Sequence, residues 1–220
     1  MSRLVLFDLD GTLVDSAPGI WSSVRSAAVE LGLPEPTPAQ LTAMIGPPLQ
    51  DGFATALGLP PELVPLAVDA YRAHYAAGAL LDVTVYPGIP ELLDELRARD
   101  AVLAVATSKP EVFAIRVLEA TGLLTRFASV HGATLDGSIR HKDEVVAAAL
   151  AAHPAGTDPV LVGDRAQDVL GAAIHGLPCI GAGWGPAPDG ELEAAGAAVV
   201  AAAPADVLTA MCGEGGLRGI

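Results

Sequence analysis

The chain has 220 residues, 51% of them hydrophobic, which is ample for a sizeable core in one large domain or two small ones. Twelve Lys and Arg against 26 Asp and Glu give a formal net charge of −14, which argues against a nucleic-acid polymer or an anionic membrane as partner and makes any attraction for an anionic substrate local. Two cysteines, Cys179 and Cys212, stand without a CxxC pair or a Cys/His cluster, so neither a disulfide framework nor a zinc site is expected, and the implied compartment is reducing.

From Arg3 the run Leu4, Val5, Leu6, Phe7 is continuously apolar, as in a buried strand. It ends in Asp8 and Asp10, with Gly11 and Thr12 directly behind. Side chains alternate along a strand, so the two carboxylates face one side and oppose each other's ionisation unless a cation or a proton intervenes. The apolar run is too short for a signal sequence and none approaches the ~20 residues of a membrane span, so a cytoplasmic protein is expected.

Ser16-Ala17-Pro18 reads as a helix start with a capping serine; Ile20, Val24, Ala27, Ala28 and Leu31 follow at helical spacing, and Gly32 is a stop. Thr37-Pro38 opens a second short helix, Gly46-Pro47-Pro48 breaks it, and Pro60-Pro61-Glu62 starts another running to about Ala77. With no convincing strand in this stretch, residues 16–81 are expected to be an all-helical insertion in a discontinuous core of residues 1–15 and 82–220. From Tyr86 the pattern alternates: helix 88–99, strand 101–106, helix 110–121 closed by Gly122, a weak strand 128–131, helix 143–153 and a buried strand 159–162. A helix, a short strand at Cys179-Ile180, another helix and a strand over 197–201 follow, and the Gly-rich tail 213–220 is expected to fray. This alternation predicts an α/β fold with a doubly wound, mostly parallel sheet, which the first strand must join because one strand cannot bury itself.

Ligands of open parallel sheets sit beyond the carboxyl ends of the strands. There the first strand delivers Asp8 and Asp10, the strand ending at Ala106 delivers Thr107, Ser108 and Lys109, and the strand ending at Val162 delivers Gly163 and Asp164. Asp168 falls in the first turn of the next helix, and Lys142 stands at the start of helix 143–153. Hard carboxylate oxygens in this number suit Mg2+, which lets Asp8 stay ionised, while Thr107, Ser108, backbone N–H groups and Lys142 hold the other oxygens of a phosphoryl group. An ionised Asp8 facing phosphorus is a nucleophile that can form an aspartyl-phosphate. Asp10 can protonate the departing alkoxide and then deprotonate the water that cleaves the acyl-phosphate. Hydrolysis of a phosphate monoester is the expected chemistry. A signalling receiver module also gathers acids, Thr/Ser and Lys at strand ends, but it needs neither a helical insertion of this size nor the second aspartate.

DLDGT at Asp8 to Thr12, ATSKP around Thr107, Lys142, and GDRAQD at Gly163 to Asp168 resemble, in order, the four motifs of the haloacid dehalogenase-like hydrolase superfamily. The insertion resembles the helical cap of its phosphoglycolate phosphatase and 5'-nucleotidase branches. The resemblance implies a Rossmann-like core, Asp8 as nucleophile, Asp10 as general acid and base, and Thr107 and Lys142 as phosphate ligands with Gly11 and Ser108 beside them. It also implies Mg2+ held by Asp8, the Asp10 carbonyl and Asp164, with Asp168 supporting that site from behind. IGPPL at Ile45 to Leu49, GATLDGSIRHK at Gly132 to Lys142 and GDRAQDVLGA at Gly163 to Ala172 look closest to bacterial 5'-nucleotidase-like members. Two departures stand out: Asp143 where many relatives carry proline, and Arg165 where phosphoglycolate phosphatases commonly carry serine.

The implied substrate is a small phosphorylated metabolite, taken by a monomer or homodimer. Candidate selecting residues are Gly46 and Pro47 in a stiff, uncharged turn, Arg72 and Arg165; an apolar turn suits a base or sugar better than a second carboxylate. His131, His141 and His153 lack ligand spacing and are expected to be solvated or hydrogen-bonded, and Trp21 and Trp184 to pack.

Overall fold

The structure, a computed structural model, describes residues 2–212; the predicted tail 213–220 lies outside them. The chain runs β1 (Arg3–Phe7), β2 (Val14–Asp15), α1 (Ala17–Glu30), α2 (Pro38–Ala43), α3 (Leu49–Thr55), α4 (Val64–Ala77), β3 (Thr84–Val85) and α5 (Ile89–Ala98). It continues with β4 (Val102–Pro110), α6 (Glu111–Ala120), β5 (Ser129–Ala133), α7 (Lys142–Ala152), β6 (Thr157–Gly163) and α8 (Ala166–Ile174). The last elements are β7 (Cys179–Ala182), α9 (Glu191–Ala195), β8 (Val199–Ala201) and α10 (Pro204–Cys212).

Six strands form one sheet in the order β5-β4-β1-β6-β7-β8, every pair parallel. β1 lies between β4 and β6 and is buried on both faces, which is why its sequence is apolar without alternation. Val5 and Phe7 join Val105 and Val162 in one layer, which runs on into α1 and α4. Leu4 and Leu6 join Ala104, Ala106 and Leu161 in the other, under Val145 and Val146 of α7. Truncating a fully buried residue such as Phe7 to alanine costs about 3–5 kcal/mol, because the cavity left behind closes only in part. Among the described residues no helix is long and apolar enough to cross a membrane.

Several elements differ from the expectation. Ser16 does not cap α1: Asp15 Oδ1 accepts from the Ala17 N–H at 3.0 Å, and the Ser16 hydroxyl is buried without a partner. Helix α4 starts at Val64 rather than at residues 60–62, because Leu63 N–H first turns back onto the Pro60 carbonyl at 3.0 Å. Helix α3 was not expected, since of its seven residues only Gly52 and Phe53 are buried and the apolar period is faint; α10 was not expected either. The antiparallel pairing of β2 with β3 involves two residues on each side, too few for alternation to register. Strand β4 runs past Ala106 to Pro110, because Thr107 and Pro110 continue the ladder against Gly132 and Ala133 across an irregularity. Thr107 and Ser108 are therefore strand residues, and α6 begins at Glu111.

Candidate active site

Asp8, Asp10, Thr107, Lys142, Asp164 and Asp168 are all buried at the carboxyl edge of the sheet. Lys142 opens α7, whose start is held by Glu144 Oε2 accepting from the N–H groups of Arg140 (2.8 Å) and His141 (2.9 Å). Its ammonium donates to Asp8 Oδ1, Asp168 Oδ1 and the Ala106 carbonyl, each at 2.7 Å, so all three donors are used. Asp168 Oδ2 accepts from Arg165 N–H at 2.9 Å. Asp164 Oδ1 accepts from the Thr12 hydroxyl at 2.9 Å, while its Oδ2 is buried with no partner. Gly11, at φ +85°, lies against that carboxylate, and a Cβ there would fall on it.

One oxygen each of Asp8, Asp164 and Asp168 lie within 4.8 Å of one another, with a single lysine among them. Burial raises the Asp8 carboxyl to about 6 against the pull of Lys142, with Asp168 adding to the rise. Asp164 is likewise pushed well up by burial and then by Asp168 and Asp8. Burial alone would depress the Lys142 ammonium, but Asp168 and Asp8 hold it above its ordinary value. The site is short of positive charge, its donors are hard oxygens, and one carboxylate oxygen is orphaned; this set fits a divalent cation. Asp10 is not part of the cluster. Its two oxygens each lie 2.6 Å from Lys109 Nζ, which also sits 5.1 Å over the Tyr75 ring.

Through Asp8 the cluster meets a cavity of about 760 Å³, its mouth included, whose floor is Asp8, Asp10, Thr107, Ser108 and Lys109, with Lys142, Asp164 and Asp168 lying behind it. The facing wall is Tyr71, Arg72 and Tyr75 of α4, with Phe113 of α6 edge-on to Tyr75 at 5.7 Å. The rim is Gly46, Pro47, Pro48, Leu49 and Gln50. Gly46, Pro47 and Arg72 thus reach the cavity as the sequence suggests, whereas Arg165 does not: it is buried beside Glu191 and the Ile45 carbonyl. The link between Lys109 and Asp10 escapes the sequence reading. Its signal is the two-residue spacing from Thr107, which sends both side chains of β4 the same way. The aromatic wall leaves no such signal, because Tyr71 and Tyr75 keep a spacing that core residues share.

Outside the cavity, His131 and His153 both bond Ser129 Oγ, at 2.8 and 2.7 Å. Trp21 donates to the Leu41 carbonyl and Trp184 to the Thr12 carbonyl, both at 3.0 Å.

The haloacid dehalogenase-like hydrolase family matches residues 5–182, which span β1 to β7 and the whole acid–lysine cluster. A 5'-nucleotidase of Pseudomonas aeruginosa is 40% identical over 191 residues, 86% of this chain and 86% of that relative. The tyrosine-protein kinase PtkA of Mycobacterium tuberculosis is 45% identical over 184 residues, 83% of this chain, and the match spans 62% of that relative's length. A solved structure described as a predicted phosphatase from Clostridium acetobutylicum has a TM-score of 0.88 and 36% identity, covering 94% of this chain and 96% of that one. With the family match, these relatives and the buried acid–lysine cluster together, the chain belongs to the haloacid dehalogenase-like hydrolases and is a phosphatase.

Proposed function

We propose that the chain is a Mg2+-dependent phosphomonoester hydrolase that works through an aspartyl-phosphate on Asp8 and acts on a small metabolite, in the manner of a 5'-nucleotidase. One observation carries this reading: two aspartates two residues apart are paired with two different lysines, Asp8 with Lys142 behind the site and Asp10 with Lys109 at the cavity floor. Different surroundings are what two carboxylates need to take different roles.

Asp8 attacks phosphorus, forming the Oδ–P bond as the ester P–O bond breaks, and Asp10 gives its proton to the departing oxygen. Asp10 then takes a proton from the water that attacks the acyl-phosphate, which frees Asp8 and phosphate. Thr107 and Ser108 hold phosphoryl oxygens, and Lys142 joins them by turning the N–H it now gives Asp8 to the phosphoryl group, while Asp168, bonded to Lys142 and to the Arg165 backbone, keeps the ammonium in place. Asp8, Asp164 and the Asp10 carbonyl would hold Mg2+, which supplies the charge that keeps Asp8 ionised and screens the phosphoryl oxygens.

Residues 16–81 act as a cap over a core of residues 1–15 and 82–220, and the leaving group is selected between them. Tyr71, Tyr75, Phe113 and Leu49 offer faces that suit a base or a sugar. Arg72 supports a second reading: it bonds the Leu135 carbonyl at 3.1 Å and has no acidic partner among the described residues, which favours a carboxylate on the leaving group. The deciding experiment compares kcat/KM for nucleoside 5'-monophosphates and phosphoglycolate side by side with Mg2+. The nucleotides are expected to lead; a clear lead for phosphoglycolate selects the second reading and leaves the mechanism standing. A further arm with ATP and a tyrosine peptide addresses the likeness to PtkA, with phosphate release and no phosphotyrosine expected.

A further inference from the structure

Arg165 directly follows Asp164 and stays out of the cavity, yet its side chain is buried and its guanidinium engaged. Nε donates to Glu191 Oε1 at 2.9 Å and Nη2 to Oε2 at 3.4 Å, while Nη1 donates to the Ile45 carbonyl. Glu191 Oε1 also accepts from the Ala166 N–H at 2.8 Å, so the pair is anchored to the first residue of α8. On its other side Arg165 packs against Gly46, where a Cβ would lie 2.6 Å from the arginine Cγ and where φ is +102°. Gly46 begins the rim of the cavity. One side chain therefore joins the loop that carries Asp164 to the rim, and its charge is neutralised by Glu191 rather than left for a substrate.

We infer that Arg165 is a positioning residue that docks Ile45 and the rim it leads into, residues 46–50, onto the Asp164 loop, and that the enzyme's grip on the leaving group, but not on phosphate, depends on this contact. The kinetic half of the inference rests on the phosphatase reading; the docking half does not. Lysine carries one nitrogen where arginine carries three, so it cannot hold Glu191 and the Ile45 carbonyl together.

Arg165→Lys and Gly46→Ala are compared with the unaltered chain by amide hydrogen exchange and by steady-state kinetics. In each variant the amides of Ile45, Gly46, Leu49 and Gln50 exchange faster, Pro47 and Pro48 having no N–H to report, and KM for ester substrates rises about tenfold, the scale of one charge-assisted hydrogen bond. The inhibition constant of inorganic phosphate and the divalent-ion requirement stay within about twofold. The double variant is no worse than the worse single one, because both substitutions break one contact from opposite sides. Unchanged rim exchange in a folded Arg165→Lys protein overturns the docking. A KM rise matched by equal weakening toward phosphate overturns the division between leaving group and phosphate. If the unaltered chain releases phosphate from no ester, the phosphatase reading fails, and hydrogen exchange still decides the docking.

Discussion

At the sheet end the charged donors are engaged by protein: Lys142 has three acceptors, Lys109 has both oxygens of Asp10, and beneath them the Thr12 hydroxyl has Asp164. What is left over there is an acceptor, Asp164 Oδ2. At the helical end the leftovers include donors, Arg72 Nε and the Tyr75 hydroxyl, both buried without partners. Burial pushes the tyrosine's own ionisation well above its usual value, helped by Asp10, so the hydroxyl keeps its proton. An orphan acceptor awaits a cation and an orphan donor awaits an acceptor oxygen, since neither is left unpaired in a dry site without cost. The sheet end is thus arranged before substrate arrives, and the helical end is completed by the substrate.

The largest effect is expected at the sheet end. Asp8→Asn should lower kcat by at least ~10³ while leaving the unfolding midpoint near that of the unaltered chain, because the amide is nearly isosteric and a poor nucleophile. Near-normal turnover in metal-replete buffer would break the comparison at once. Removal of divalent ions comes next. Chelation should silence the enzyme without unfolding it, since the sheet has its own apolar support on both faces, and calorimetry in EDTA checks this. Asp164→Ala should raise the metal concentration needed for half-maximal activity by about tenfold or more.

At the helical end effects should be smaller and should fall on KM. Tyr75→Phe removes one donor and should raise KM about fivefold for leaving groups that carry hydroxyls, with a lesser change in kcat. An equal loss in kcat would move Tyr75 into the chemical step. The smallest effect tests the Arg165–Glu191 pair. Burial raises the Glu191 carboxyl, but bonds from Arg165 and the Ala166 N–H outweigh it and leave the group below its ordinary value of 4.5. The pair's stabilisation is therefore present above that value and is lost as pH falls through the lower, folded one. Glu191→Gln should lower Tm by roughly 2–4 °C at neutral pH, for a pair worth about 1 kcal/mol or less after solvent screening. Plotted against pH, the two Tm curves should meet in acid; a gap that stays constant would show that charge is not what Glu191 contributes.

How much of this is legible in the sequence follows the same division. Asp8, Lys142, Asp164 and Asp168 come from three separated stretches, yet each closes a strand or opens the helix behind one, so topology alone carries them to a common edge. Asp10 shows the limit: its place beside Asp8 is legible, but its partner Lys109 lies 99 residues away, and only the fold reveals the pairing. Arg165 is the sharper case. Sequence offers it only as a candidate for selecting the substrate, and in the fold Glu191, 26 residues on, claims its charge outside the cavity. The wall of the cavity is least legible, since Tyr71, Tyr75 and Phe113 serve the core and the cavity at once and carry the pattern of the core.

The chain leaves the sheet after β1 and comes back through β3 alongside β2, with Val14 opposite Val85 and Asp15 opposite Thr84. Both ends of the helical segment are stitched at one spot, so a graft from a relative needs to match a two-residue ribbon and nothing in the six-stranded sheet. The apolar cluster nevertheless continues from Phe7 and Val105 into Ile20 and Phe53, so the transplant must bring a greasy underside of its own. Such a layout permits exchange of the helical segment and forbids its deletion, which would leave Phe7 and Val105 uncovered.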